Sequence, residues 1–190
     1  MKITVLKSSF AAVLLLIAAT ACDSSKKQED STEMAKEQND AVLDDRDDEK
    51  DADFVVNAVA ANYAEIKMAQ LAQTKSSDAS IKEMAAMLEK DHSELVNQFT
   101  GYAAQKGLSI PMQEASEDQK DINNLAAEPA DAFDKKWCDL LEDRHQKSIN
   151  KFEKRLDKTE DVELKNLITN ALPALRIHHN MLKEQEDKMK

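Results

Sequence analysis

Four long stretches of the chain repeat apolar residues at three- and four-residue steps. From 52 to 75 the stripe is Phe54, Ala58, Ala61, Glu65, Met68 and Ala72. From 79 to 106 it is Ile81, Met84, Ala85, Leu88, His92, Leu95, Phe99 and Tyr102. A third stripe over 130–157 holds Phe133, Trp137, Leu141, His145, Ile149, Phe152 and Leu156. The last, over 160–189, holds Leu164, Leu167, Ala171, Ala174, Leu175, His178, Met181 and Leu182. This is the period of a helix that buries one face, so the pattern predicts four amphipathic helices. Ser76-Ser77-Asp78 supplies a break and a cap between the first two, and Lys106-Gly107 ends the second with a cation and then a glycine. Pro173 falls inside the fourth pattern and predicts a kink or split near His178.

The connection over 107–130 is long for a turn between antiparallel neighbours. It can travel the length of a bundle and set the third helix parallel to the second. The predicted fold is therefore all-α, a ferritin-like four-helix bundle with a long crossover between helices 2 and 3. Parallel helices would also bring His92 and His145 to one level, since each lies about fourteen residues into its pattern.

Each stripe is interrupted by one polar side chain: Glu65, His92, His145 and His178. Two of the histidines end the same spacing, Glu89-Lys90-Asp91-His92 and Glu142-Asp143-Arg144-His145, with a carboxylate one turn back. A single core histidine is most often a hydrogen-bonded structural group. Three of them with a glutamate, one per helix near mid-bundle, form a candidate metal set of Glu65, His92, His145, His178, Glu89 and Glu142. Imidazoles and carboxylates suit iron, zinc, manganese or copper. Di-iron bundles take a glutamate from two helices and Glu-x-x-His from the other two. Here Leu175 stands three residues before His178, so the carboxylate count falls short of a bridged iron pair.

Composition supports the helical reading: 2 glycines, 3 prolines and 33% charged residues in 190. The net charge of -11 argues against nucleic acid as a partner and against a polybasic membrane surface. The N-terminus carries Lys2 and Lys7 ahead of an apolar run from Phe10 to Ala19, too short to span a bilayer. Ala19-Thr20-Ala21-Cys22 follows, and it resembles a lipobox. The expectation is a signal peptide over 1–21, a Cys22 carrying acyl chains such as palmitate, and a lipoprotein anchored to a membrane of the bacterial envelope, at the outer membrane or on its periplasmic face. Residues 22–50 hold almost nothing apolar and are expected to form a disordered acidic tether to a domain over 51–190. Cys138, beside Trp137, is expected to be a small buried apolar residue rather than a reactive thiol. No feature sets an oligomeric state.

Several local pairings go beyond periodicity. Asp53-Phe54 is followed by Ala64-Glu65 and Leu71-Ala72, then by Asp91-His92, and Lys106-Gly107 precedes Pro111. Phe133 to His145 and the closing Leu172-Pro173-x-Leu175-x-x-His178 complete the set. On these residues, over about 51–187, the chain resembles the domain of unknown function 4142 family of bacterial envelope proteins. The resemblance implies a ferritin-like bundle and an envelope address, and it implies no established reaction. The family shows Asp-His on the third helix, where this chain has Asp143-Arg144-His145.

Three functional readings follow. The first is an anchored lipoprotein whose bundle binds a transition metal. The second is a metal-free structural or stress-related envelope protein whose polar layer fixes helix register. The third, and weakest, is a metal-dependent oxidoreductase. No nucleophile-base arrangement, phosphate loop or cysteine-rich motif competes with them.

Overall fold

The computed structural model describes residues 30–189, which are all-helical, with no strand among them. The elements are α1 (Ser31–Asp40), α2 (Arg46–Lys75), α3 (Ala79–Lys106), α4 (Ser116–Ala127), α5 (Ala130–Leu156) and α6 (Val162–Lys188). Local chemistry fixes the boundaries. The Asp78 carboxylate accepts from the backbone N–H groups of Ser80 and Ile81 at the start of α3. At its end Gly107 turns the chain in the left-handed region, φ 69°, which a side chain would disfavour. Lys106 in the same turn pairs with Asp161 and Glu163 at the start of α6, 2.5 and 3.0 Å away.

Two apolar clusters fill the bundle, one toward each end. One gathers Met68, Ile81, Leu88, Phe133, Trp137, Leu141 and Leu182. The other gathers Val55, Val59, Leu95, Phe99, Ile149, Phe152, Leu164 and Leu175. The first halves of α3 and α5 thus share a cluster with the second halves of α2 and α6. The helices run up-down-down-up, with α3 and α5 parallel. The 107–130 segment crosses the bundle as predicted and carries α4 against α2 and α5 on the way.

Two expectations are corrected. Residues 22–50 are not a tether throughout: α1 begins at Ser31 and packs on α2, and α2 starts at Arg46, six residues before the predicted 52. The reason lies in polar staples that composition does not reveal. The two oxygens of Asp30 accept from Thr32 N–H and Ser116 N–H, capping α1 and tying it to the start of α4. Asn39 donates to the Ser109 carbonyl at 3.0 Å and accepts from the Ser109 N–H at 2.8 Å. Because α1 and α4 also cover α2, that helix is buried well beyond one stripe, including Val55, Val56, Val59 and Ala60. Phe54 and Ala61 of the predicted stripe are only half-buried.

The second correction concerns Pro173. It does not split α6, which runs unbroken past it. Pro173 and Thr169 lie on the exposed face, so the Thr169 carbonyl that loses its donor faces water. The signal sequence, the lipobox and Cys22 lie outside the described residues. Among the described helices none is long and apolar enough to cross a membrane. Cys138 is fully buried and free. Burial, with Asp134 and Asp139 nearby, pushes its thiol up to about 12, so it is inert at neutral pH.

Candidate metal centre

Between the two apolar clusters lies one polar layer. Glu65 of α2, His92 of α3, His145 of α5 and His178 of α6 meet there, each at most 3% exposed. His145 is the hub. Its Nε2 lies 3.2 Å from His92 Nε2, 3.3 Å from His178 Nδ1 and 3.5 Å from Glu65 Oε2. His92 Nε2 and Glu65 Oε2 are 3.0 Å apart. The histidine ligand atoms all fall within 4.8 Å of one another, a group that can hold a metal ion.

The outward nitrogens decide the tautomers. The Asn62 amide donates to the Ala58 carbonyl, which turns its oxygen toward His92 Nδ1 at 2.7 Å. His145 Nδ1 faces the Leu141 carbonyl at 2.8 Å, and His178 Nε2 faces the Asp91 carboxylate at 3.1 Å. All three partners can only accept there, so each outward nitrogen carries the proton. The three inward nitrogens are left with bare lone pairs. With Glu65 Oε2 they make a cluster of four acceptors, four of whose six separations lie between 3.0 and 3.5 Å.

Protonation states favour the same picture. Burial pushes His145 down to about 4 against the field of Glu65, so it is neutral at pH 7. Burial also lowers His178. For Glu65, burial alone would raise the carboxyl, but the His145 and His92 rings when protonated, a hydrogen bond from His92 and the Arg144 guanidinium hold it well below the usual carboxylate range. With His145 neutral, Arg144 is the standing countercharge: its Nε lies 3.6 Å from Glu65 Oε1, and its Nη1 is 2.6 Å from Asp118 Oδ1.

A consequence for stability can be measured in the metal-free protein. Between the unfolded histidine value of 6.5 and the folded value of about 4, the unfolded chain binds the extra proton. Stability is then complete above about pH 6.5 and falls as the pH is lowered toward 4, by about 3 kcal/mol at this site. Urea midpoints of the metal-free protein should decline over that window, and His145→Gln should flatten the decline.

The layer brings together four of the six candidate ligands and leaves two outside. Glu89 accepts from the Gln70 and Gln73 amides at 2.7 and 2.6 Å, on the flank. Glu142 faces His179 Nε2 at 3.1 Å. One turn before a core histidine, a glutamate points to the neighbouring face, so the two Glu-x-x-His spacings do not act as ligand pairs here. With a single carboxylate in the layer, a carboxylate-bridged pair of metals does not fit, whereas one ion does. A tetrahedron with metal–nitrogen bonds of about 2.0–2.1 Å has edges of about 3.3–3.4 Å, close to four of the six spacings here.

Asn62, Asp91 and Arg144 support the layer and were not singled out by spacing. Asp91 had a signal, because it immediately precedes His92. Asp143, two residues before His145, pairs with Lys147 at 2.6 Å and stays outside the layer.

Comparison with known proteins adds family and fold. No curated protein matches the chain. A solved structure, the crystal structure of a DUF305 fragment from Deinococcus radiodurans, is similar in fold, with a TM-score of 0.66 at 13% identity. The match covers 73% of this chain and 96% of that one. The family model described as Domain of unknown function (DUF4142) matches residues 26–184, from just ahead of α1 into the last turns of α6. The chain belongs to the DUF4142 family.

Proposed function

We infer that the domain binds one divalent transition-metal ion through His92 Nε2, His145 Nε2, His178 Nδ1 and Glu65 Oε2. The observation that carries this reading is the convergence of four acceptor atoms, their outer protons already committed, in a layer closed at both ends by apolar side chains. Acceptor pairs 3.0–3.5 Å apart repel one another unless a proton or a metal cation lies among them. A bound ion would supply that charge. Asn62, the Leu141 carbonyl and Asp91 orient the three rings, the role outer hydrogen-bond partners play in metal sites. Of the iron, zinc, manganese and copper considered, the general affinity order of nitrogen-rich sites places copper(II) and zinc first.

Metal analysis of the purified protein is the test. Close to one zinc or copper per chain, with a raised Tm on reloading a chelator-stripped sample, is the expected result. No metal retained and no Tm change with zinc, copper, iron or manganese would reject the reading. One spacing favours the structural alternative: His92 Nε2 to Glu65 Oε2, at 3.0 Å, is an ordinary hydrogen-bond length. A proton there would make the layer a device for helix register, and the metal-free result would leave that reading standing.

The envelope address is part of the same proposal. It is supported by the charged, apolar and small-residue order that ends at Cys22. With α1 starting at Ser31, only residues 23–30 separate Cys22 from the bundle, about 28 Å at full extension. Labelled palmitate should enter the chain and be lost in Cys22→Ser; label retained in that variant would refute the anchor.

A further inference from the structure

On the side of the bundle where α2 faces α5, an open groove of about 620 Å³ runs along the surface. Five cationic side chains line it, Lys50, Lys151, Lys154, Arg155 and Lys158, against the carboxylates of Asp47 and Asp53. Lys50 is neutralised by Asp47 at 2.7 Å, and Arg155 by Asp51 at 2.7 Å. Among the described residues Lys151, Lys154 and Lys158 have no carboxylate partner. In a chain of net charge -11, a concave surface of positive sign is out of keeping with the rest.

The groove adjoins the interior through shared lining side chains. A smaller pocket of about 50 Å³ shares Phe54, Asn57 and Lys151 with it, and Glu65 and His92 line its inner end. That is room for about one or two waters or a ligand of similar size. Small side chains hold it open, Ala58 and Ala61 on α2 opposite Ser148 on α5. The two apolar clusters close off the bundle ends, and a pocket of about 230 Å³ lined by Asp118, Arg144, Lys147 and Lys151 reaches Glu65 from the α4 side.

Resting on the metal reading above, we propose that the lysine-lined groove and inner pocket form an anion entrance, through which a small carboxylate or oxyanion reaches the ion. The lysines concentrate the anion at the mouth, and Lys151, which lines both cavities, stands at the junction. On the α2–α5 side the ion then expands from four to five ligands, an exchangeable position that a purely structural metal would lack.

Cobalt(II) loaded into the full protein gives visible bands that report its ligands. Acetate and inorganic phosphate are the probes, with acetamide as the uncharged control. The expected result is a saturable band change with acetate and phosphate and none with acetamide. In the Lys151→Glu, Lys154→Glu double variant the apparent Kd for acetate should rise about tenfold or more, with cobalt affinity unchanged. Ser148→Leu should suppress the acetate response by filling the pocket while leaving the cobalt bands in place. Bands indifferent to both anions, or equal acetate affinity in the double variant, would overturn the entrance. So would lysine-dependent binding to phosphatidylglycerol vesicles without any band change, which would assign the groove to a membrane. If no cobalt bands appear at all, the metal reading itself fails and the entrance falls with it.

Discussion

Replacing His145 by alanine is expected to lower the affinity for zinc or copper(II) by at least about 100-fold, the upper end of what loss of an outer partner alone costs. His145 is singled out because its Nε2 is the one atom within 3.5 Å of all three other ligand atoms. Its removal takes a ligand and also opens the layer, so no neighbouring side chain can close on the ion. Competition with a chelator of known affinity reads the loss directly and independently of stability. His179→Ala is the matched control. That ring is one residue from His178 but faces Glu142 on the flank, and its loss should leave metal affinity unchanged. Equal affinities for the parent and His145→Ala would remove the hub role and the proposed ligand set with it.

How much of this site was legible in the sequence follows from which interactions have a period. The helical stripe placed His92, His145 and His178 in core slots because burial on a helix repeats every three to four residues. The long 107–130 connection implied the parallel pair that brings the first two to one level. Glu65 was legible for the same reason, as a charge in an apolar stripe. Glu89 and Glu142 misled because a Glu-x-x-His spacing states adjacency on a helix surface, and adjacency does not say which of two faces turns inward. The supports have no period at all. Asn62 reaches His92 across 30 positions, and Asp91 reaches His178 across 87. Likewise α1 is held by Asp30 and Asn39 through partners 86 and 70 positions away, so a compositional reading of residues 31–40 saw only a polar segment.

Arg144 should behave oppositely to a ligand. Its side chain is 14% exposed and sits between Glu65 and Asp118. In the metal-free protein it is the positive charge nearest a fully buried carboxylate, because the imidazole of His145 is neutral at pH 7. Arg144→Met keeps most of the apolar stem and removes that charge. Stranding one member of a buried ion pair costs about 3–5 kcal/mol, so the metal-free variant should lose stability of that order by urea unfolding. A divalent ion in the layer supplies the missing charge itself, and Arg144 repels it. The same substitution should therefore hold or raise the affinity for zinc, and adding zinc should recover much of the lost stability. The double variant Glu65→Gln, Arg144→Met tests the pairing. With the carboxylate gone the cost of losing Arg144 should shrink, a coupling that the four-protein cycle measures. Weaker zinc binding in Arg144→Met, or full additivity in the cycle, would show that Arg144 serves Asp118 and the crossover instead of the charge at the centre of the bundle.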